Sequence, residues 1–379
     1  MTTPLTLPNA RWQTLENFGH SLSAPALTLQ PTAPDQLMEV FRFARQTGQT
    51  VALRGAGRSY NDAALNGGGI VLDLTRMNRI LSWNPDLGVI TAEPGVTLQQ
   101  LWQHVLPDGW WPPVVSGTMF TTLGGCLGMN IHGKNNFKMG TIGEHVLEFT
   151  ALLPTGALVT CSPDKNGDLF RAMISGMGML GVFTSITLKM KRMHSGLLEV
   201  HAWPVRTLKE QLDSLLDGAP KYDYIVGWLD ATAGGRALGR GQIHAANYLH
   251  EGEDPDWQKT MQVSYQTLPD RFFGVVPKSL LYIFMSPFMN NLGTWGVNTA
   301  KYILSLRREV YRQPHAAFHF LLDYVPNWEL SYGRGGLIQY QSFLPKDTAH
   351  DAWSEMLRLS HKRGLPSYLG VTKRHRPDT

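Results

Sequence analysis

The chain predicts an α+β fold in two domains, on three observations. Short apolar runs with period-two spacing are bounded by Pro, Gly and Asp turns, which is the pattern of strands joined by tight connections. Between them lie segments with helical spacing and recognisable start and stop residues. With 379 residues, 43% hydrophobic and 17% charged, the chain is also longer than one core usually serves, since single cores rarely grow past roughly 250–300 residues. Its glycine-rich character ends around Met193 to Val205. The expected division is therefore residues 1–195 and 196–379, the second being an antiparallel sheet with helices on one side.

Taken in order, DQLMEVFRFARQT (Asp35 to Thr47) spaces Leu37, Val40, Phe41 and Ala44 along one helical face, with Pro34 and Asp35 as start and Gly48 as stop. TVALR and GIVLDL read as short strands, and ILSW and VITAEP as a hairpin turned at Pro85 to Gly88. Thr97 can cap the helix LQQLWQHVL, which ends before Pro107. LEFTALLPTGALVTCSP is a hairpin about Pro154 to Gly156, DLFRAMISGMG a helix and GVFTSITLKMKRM a strand. Beyond the boundary, YDYIVGWLDA, LIQYQSFL and SYLGVTK read as strands, and TLKEQLDSLL and TAHDAWSEMLRLSHKRG as helices.

Composition narrows the function classes. Lys and Arg number 34 against 30 Asp and Glu, scattered along the chain, so nucleic-acid binding gains no support. An anionic ligand or membrane surface fits the mild positive balance. Cys126 and Cys161 show neither CxxC spacing nor the density of a disulfide scaffold, so no metal site is expected and a reducing compartment is the default. The N-terminal segment lacks the basic start and apolar run of a signal peptide. No stretch has the ~18 uninterrupted apolar residues of a spanning helix. Phe272 to Val297 is nonetheless conspicuously apolar and aromatic. It reads equally as a buried helix pair or as a surface resting on a bilayer, so the expected location is cytoplasmic or peripheral on the cytoplasmic membrane.

The chemistry starts from glycine. Seven glycines fall between Gly117 and Gly143, where average usage of roughly 7% would put about two. A second glycine-rich turn, RGAGRSYND, spans Arg54 to Asp62. Two such loops let peptide groups approach a large flat or phosphorylated ligand, and they point to FAD. Neither a GxGxxG opening a helix nor a P-loop is present, so this is not a Rossmann-type site. His132 and Lys134 stand two apart in the glycine-rich stretch, and an extended backbone would aim both to one side, to hold substrate or take its proton. Gln339 and Gln341 alternate with Tyr340 as if on a strand, where two amides on one face could bond a sugar or phosphate.

In combination, RGAGRSYND, SGT, TTLGG, NIHGKN, MGTIGEHV and GMGMLGVFTSITL resemble the FAD-binding PCMH-type domain of the vanillyl-alcohol-oxidase and p-cresol-methylhydroxylase superfamily. HGKNN (His132 to Asn136), WLDATAGGRALGRG (Trp228 to Gly241) and IQYQ (Ile338 to Gln341) resemble most its decaprenylphosphoryl-ribose oxidase branch, the flavin subunit of a 2'-epimerase. The likeness runs from about Trp12 to Lys373. It implies that the turn with Arg54, Gly55, Ala56, Gly57, Arg58, Ser59, Tyr60 and Asn61 holds the pyrophosphate. It implies further that Gly117, Thr118, Thr122, Leu123, Gly124 and Gly125, then Met129, Asn130, Ile131 and His132, line the isoalloxazine and ribityl chain. Val182 and Phe183 would lie near the adenine half. Tyr60, Trp228, Gln339, Gln341 and Lys373 match pocket positions, with His132, Lys134 and Lys373 in the catalytic role. Many relatives carry a flavin-tethering histidine where this chain has Arg58, so dissociable FAD is expected, with Cys126 a small packed residue.

The implied substrate is a lipid-linked sugar phosphate, the 2'-hydroxyl of a polyprenyl-phosphate-linked ribose being oxidised to a keto sugar in cell-wall arabinan synthesis. A short-chain dehydrogenase/reductase would complete the epimerisation. A soluble sugar, aldonolactone or alditol oxidase is the alternative within the superfamily. The family pattern continues beyond Lys373 with a further lysine, a tyrosine and a final helix. Without that return segment, a third reading is an FAD-binding protein lacking activity.

Overall fold

The computed structural model describes Leu7, residues 9–272 and residues 275–377. Contacts divide the chain into two units. The first runs to His132, resumes over Thr141–Arg192 and includes Arg334–Gln339; the second takes Gly133–Gly140, Met193–Gly333 and the chain from Tyr340 on. The main passage, at Arg192 to Met193, lies beside the division drawn from sequence at 195/196. The two short exchanges of chain are a feature of the contacts, with no counterpart in a linear reading.

The first unit holds two sheets. In one, β1 (Arg11–Glu16), β2 (Ser23–Leu29), β3 (Val51–Arg54) and β4 (Ile70–Asp73) take the order β1-β2-β4-β3. β1 and β2 are antiparallel, and β4 runs parallel to both β2 and β3. A parallel connection needs a crossover, and the helix Pro34–Thr47 supplies it. Its Leu37, Val40, Phe41 and Ala44 are buried at i, i+3, i+4 and i+7 in one cluster with Leu29, Ile70 and Leu72 of the sheet. The helix ends where Gly48 turns left-handed at φ 66° and its N–H bonds the Ala44 carbonyl.

The other sheet contains β5 (Ile80–Asn84), β6 (Val89–Ala92), β8 (Val146–Leu152), β9 (Leu158–Cys161) and β10 (Val182–Lys189) in the order β5-β6-β10-β8-β9, wholly antiparallel. β7 (Trp110–Trp111) pairs with β11 (Lys191–Arg192). Both hairpins anticipated from turn residues are present here. The helix Leu98–Val105 opens with a capping box, in which Gln100 N donates to Thr97 Oγ1 at 3.2 Å and Thr97 N donates to Gln100 Oε1 at 2.9 Å.

The second unit is built on β12 (Leu197–Val205), β13 (Tyr224–Leu229), β14 (Gly241–Tyr248), β17 (Glu309–Pro314) and β18 (Gly370–Thr372), antiparallel in the order β17-β12-β14-β13-β18, with a small hairpin of β15 (Arg271–Phe272) and β16 (Val276–Pro277) beside it in sequence. One face of the large sheet packs Ile225, Ile243 and Ala245 with Leu215 of the helix Leu208–Gly218. A neighbouring cluster joins that helix to Ala349–Lys362 through Leu208 and Leu357. The opposite face carries Tyr224, Val226 and Trp228, with His244 across from Val226 and Gln242 across from Trp228. Thr372 lies opposite Gly227 and accepts from Gln211 Nε2 at 2.7 Å on the helix side. Strand alternation therefore puts Val371 and Lys373 on the face of Trp228.

Two expectations are corrected. LIQYQSFL does not form a strand: residues 336–345 have no regular structure, and Gln339, Tyr340 and Gln341 are all exposed. Period-two spacing is shared by a paired strand and by extended coil, and only a ladder partner separates them. The apolar stretch beginning at Phe272 is not a buried helix pair. Apart from Phe273, Gly274 and the Phe272 side chain, which lie outside the described residues, it forms the helices Leu281–Met285 and Asn291–Leu304 with their large apolar residues mostly exposed. Among the described residues no helix is long and apolar enough to cross a membrane.

Leu37 is fully buried between helix and sheet. Leu37→Ala is expected to cost about 2–5 kcal/mol of stability, read as a lower urea midpoint with an unchanged slope.

Candidate active site

In the first unit the two glycine-rich segments meet. The space that a Cβ on Gly55 would need is filled by Thr122 Oγ1, so the backbone of the upstream turn lies directly against the start of the downstream one. Gly57 has φ 66°, and a Cβ there would lie 2.9 Å from the Arg54 Cζ. A side chain at Gly57 is thus strained by conformation and would displace the Arg54 guanidinium. The Arg54 guanidinium is itself braced by the carbonyls of Glu16 (2.9 Å) and Ala64 (3.3 Å). Burial lowers its pKa, against the attraction of Asp73. Arg58 sets its guanidinium over the rings of Phe18, at 4.9 Å, and Phe120, at 5.2 Å. Tyr60 packs edge-on to Phe18, and its carbonyl accepts from Asn17 Nδ2 at 2.5 Å.

In this turn the peptide N–H groups of Gly57, Arg58 and Ser59 make no hydrogen bond among the described residues. Successive unbonded amides in a glycine-bearing turn form an anion-binding concavity. This is what a pyrophosphate requires, so the residues present fit the phosphate portion of FAD.

The downstream segment spends part of its backbone on internal bonds. Thr122 precedes the helix Leu123–Gly128. The N–H groups of Leu123 and Gly124 are spent on Val96 O (2.7 Å) and Pro94 O (2.8 Å). A Cβ on Gly124 would strike Pro94 at 2.7 Å, so this glycine permits packing of two loops. Leu123 and Gly124 therefore offer no donor to a ligand. Ser116 Oγ donates to Thr118 O at 2.8 Å, holding the turn that contains Gly117. Asn130 adopts φ 44° and its Oδ1 accepts from Gly143 N at 3.0 Å. Ile131 exchanges backbone bonds with Cys126 and Ile142, and His132 forms an isolated bridge with Thr141. Met129 is exposed. The side chains of Val182 and Phe183 are buried, Val182 in the helix–sheet core and Phe183 edge-on to Phe149. Cys126 is buried, with its thiol pushed up to about 12 by desolvation against a bond to Thr121, so it stays protonated and packed.

The second unit gathers cations. Lys134 does not continue an extended run from His132; it sits in a turn, and its carbonyl accepts from Ile225 N at 3.0 Å. Its Nζ donates to the Phe318 and His319 carbonyls, the latter at 3.2 Å, and lies 4.5 Å from the Phe318 ring centroid. Desolvation, reinforced by the charge of Lys373, brings Lys134 down to about 7. Lys373 is lowered to about 8 by desolvation. Lys301, an exposed residue whose Nζ lies 4.1 Å from the Trp228 ring centroid, is lowered to about 8 by desolvation.

His244 is depressed to about 4 by burial and then by Lys134 and Lys301. His319 is held well below its usual range by burial, then by Lys134 and His315. Both imidazoles are neutral at pH 7 and can accept hydrogen bonds. Lys301, His244 and His319 went unnoticed in the sequence, where they belong to no motif. Only for His244 was a signal legible, the alternation in GQIHAANY that sets it on the face of Gln242.

The fold and the anion-binding turn define an FAD-dependent oxidoreductase. Residues 25–162 match the family model described as an FAD binding domain. The chain is 31% identical over 367 residues to decaprenylphosphoryl-β-D-ribose oxidase of Mycolicibacterium smegmatis, covering 95% of this chain and 77% of that one. It therefore belongs to the decaprenylphosphoryl-ribose oxidase family. More limited similarity extends to L-gulonolactone oxidase of Bos taurus, 30% over 53% of this chain and 44% of the relative. Against D-lactate dehydrogenase of Anaerostipes hadrus it is 31% over 46% and 39%.

Gly57→Val is expected to abolish flavin content while leaving far-UV circular dichroism unchanged; full flavin loading would show that the anion turn lies elsewhere. The lysine cluster carries a pH signature. Below about 7 all three amines are charged, and the charge falls away as pH rises through 7 to 8. Sulfate, a dianion throughout, should bind progressively more weakly from pH 6.5 to 9, with net proton uptake at pH 8 in calorimetry. A flat affinity would remove the cluster as an anion site.

Proposed function

We propose that the chain oxidises the 2'-hydroxyl of a polyprenyl-phosphate-linked pentose, ribose in the first instance, to a keto sugar. The observation that carries this reading is the gathering of Lys373 and Lys301 with Lys134 on the sheet face of Trp228, because a phosphate needs cations and the alcohol needs a group to take its proton. A free alditol gives those amines nothing to neutralise. The similarity to decaprenylphosphoryl-β-D-ribose oxidase supports the same substrate class.

Oxidising a secondary alcohol removes a hydride from the carbinol carbon and a proton from its oxygen. FAD, when bound, supplies the acceptor for the hydride. Lys134, poised at about 7, is half neutral at physiological pH and suited to take the hydroxyl proton, and the carbonyls of Phe318 and His319 hold its amine in place. Lys373 and Lys301 retain their protons longer and hold the phosphate. His132 contributes from the glycine-rich segment as a substrate-holding or proton-accepting group. Tyr60, Gln339 and Gln341 are assigned to substrate binding on the family resemblance alone. Arg58 cannot form the 8α bond of tethering histidines, and the FAD is non-covalent. The keto sugar is the first half of an epimerisation, completed by a separate short-chain reductase.

An absorbance spectrum tests this. Acid precipitation should release the yellow cofactor into the supernatant, and anaerobic addition of polyprenyl-phosphoryl ribose should bleach it, with free alditols and aldonolactones inert. Bleaching by the lactones alone would assign the chain to the soluble sugar oxidases instead, and a stable flavin spectrum with every substrate would mark a chain that binds FAD without turnover. His132→Ala should lower the bleaching rate by about 10²–10⁴-fold with flavin content intact.

A further inference from the structure

The helix Asn291–Leu304 is amphipathic the wrong way round. Its inward residues are polar: Thr294 and Asn298 are buried, as is Ser305 just past its end. Thr294 Oγ1 donates to Phe288 O at 3.1 Å and Asn298 Nδ2 to Asp230 Oδ1 at 3.2 Å. Thr299 Oγ1 accepts from Arg240 Nη2 at 2.8 Å, and Arg240 is itself paired with the buried Asp230 at 2.9 Å. Its outward residues are apolar, with Leu292 76%, Trp295 50%, Ile303 59% and Leu304 82% exposed. Ile283, Phe284 and Phe288 of the preceding helices are exposed as well.

An ordinary surface helix buries its apolar stripe. This one is fastened to the rest of the second unit by hydrogen bonds, and leaves its apolar groups facing out, a contiguous type of surface that water alone does not favour. Residues 275–308 also contain four cations and no carboxylate; Lys278 is buried and the Lys301 amine lies over Trp228, which leaves Arg307 and Arg308 as the exposed charges of the segment.

We propose that the segment from Val275 to Arg308 is a membrane-docking face that takes an anionic bilayer surface. Phe284, Phe288, Trp295 and Leu304 enter the headgroup boundary, and Arg307 and Arg308 contact lipid phosphates. Charge decides between the available occupants. A second copy docked on the same face would set like charges against each other across the two-fold axis, whereas an anionic bilayer neutralises them. Lys301, on the same helix, reaches Trp228. Docking therefore brings the cationic site to the surface where a lipid-linked phosphate would be found. That last consequence rests on the proposed substrate, but the docking itself does not.

Vesicle flotation of the full-length holoprotein without substrate tests docking separately from activity. Liposomes of phosphatidylcholine with about a third phosphatidylglycerol should carry the protein, and pure phosphatidylcholine should carry it far less. The triple variant Phe284→Ser, Trp295→Ser, Leu304→Ser, altered only at exposed positions, should float roughly 100-fold less tightly. Arg307→Ser with Arg308→Ser should lose about 30-fold on the anionic vesicles alone. Flavin absorbance and circular dichroism report that each variant is folded. Failure of the wild type to float on anionic vesicles would overturn the proposal. So would a dimer in sedimentation that the triple variant converts to monomer, which would assign the face to a second copy. In either case turnover of a lipid-linked sugar remains a separate measurement.

Discussion

The second unit depends on one desolvated amine. Lys134 lies on a short stretch of chain, Gly133–Gly140, that joins the second unit between two passages through the first. It is held there at both ends: the main chain through Ile225 N, the side chain through the carbonyls of Phe318 and His319. Carbonyl dipoles and the Phe318 ring stabilise an ammonium only in part, since removal from water acts against it more strongly and Lys373 adds like-charge repulsion. The amine therefore titrates near neutrality. Burial keeps His244 and His319 neutral in the same way, and the charge of Lys134 adds to that effect on both.

The first unit meets the opposite requirement. Where the second brings charged side chains out of water, the first brings the upstream turn's backbone against side chains and leaves peptide amides unbonded in a half-exposed turn. Gly55 against Thr122 and Gly57 against Arg54 allow that approach. The glycines of the downstream segment divide between two jobs that look identical in a sequence. Gly124 serves the packing of two loops, as its bond to Pro94 shows, whereas the upstream turn keeps its donors for a ligand.

Much of the fold was legible because it is local. The helix Pro34–Thr47 carries its start, stop and buried stripe within its own residues, and the two hairpins of the second sheet announce themselves by turn residues between alternating runs. LIQYQSFL shows the limit, since its alternation was real but no neighbouring strand pairs with it. The Asn291–Leu304 helix shows another. Hydropathy identified an apolar segment but could not say which way it faces, because Thr294 and Asn298 are drawn inward by Asp230 and by a carbonyl far from them in sequence or across a turn.

By itself the sequence determined the glycine-bearing turns, the order of helices and hairpins, the family and the flavin, all of which rest on residues close together along the chain or on recurring motifs. Tertiary structure alone decided which amides of those turns remain unbonded, which way the apolar helix faces, and that Lys134, Lys301 and Lys373 share one side of a sheet with Trp228. Those outcomes come from desolvation and ladder pairing between residues tens to hundreds of positions apart. Such energies act through space, and no local pattern of residues records them.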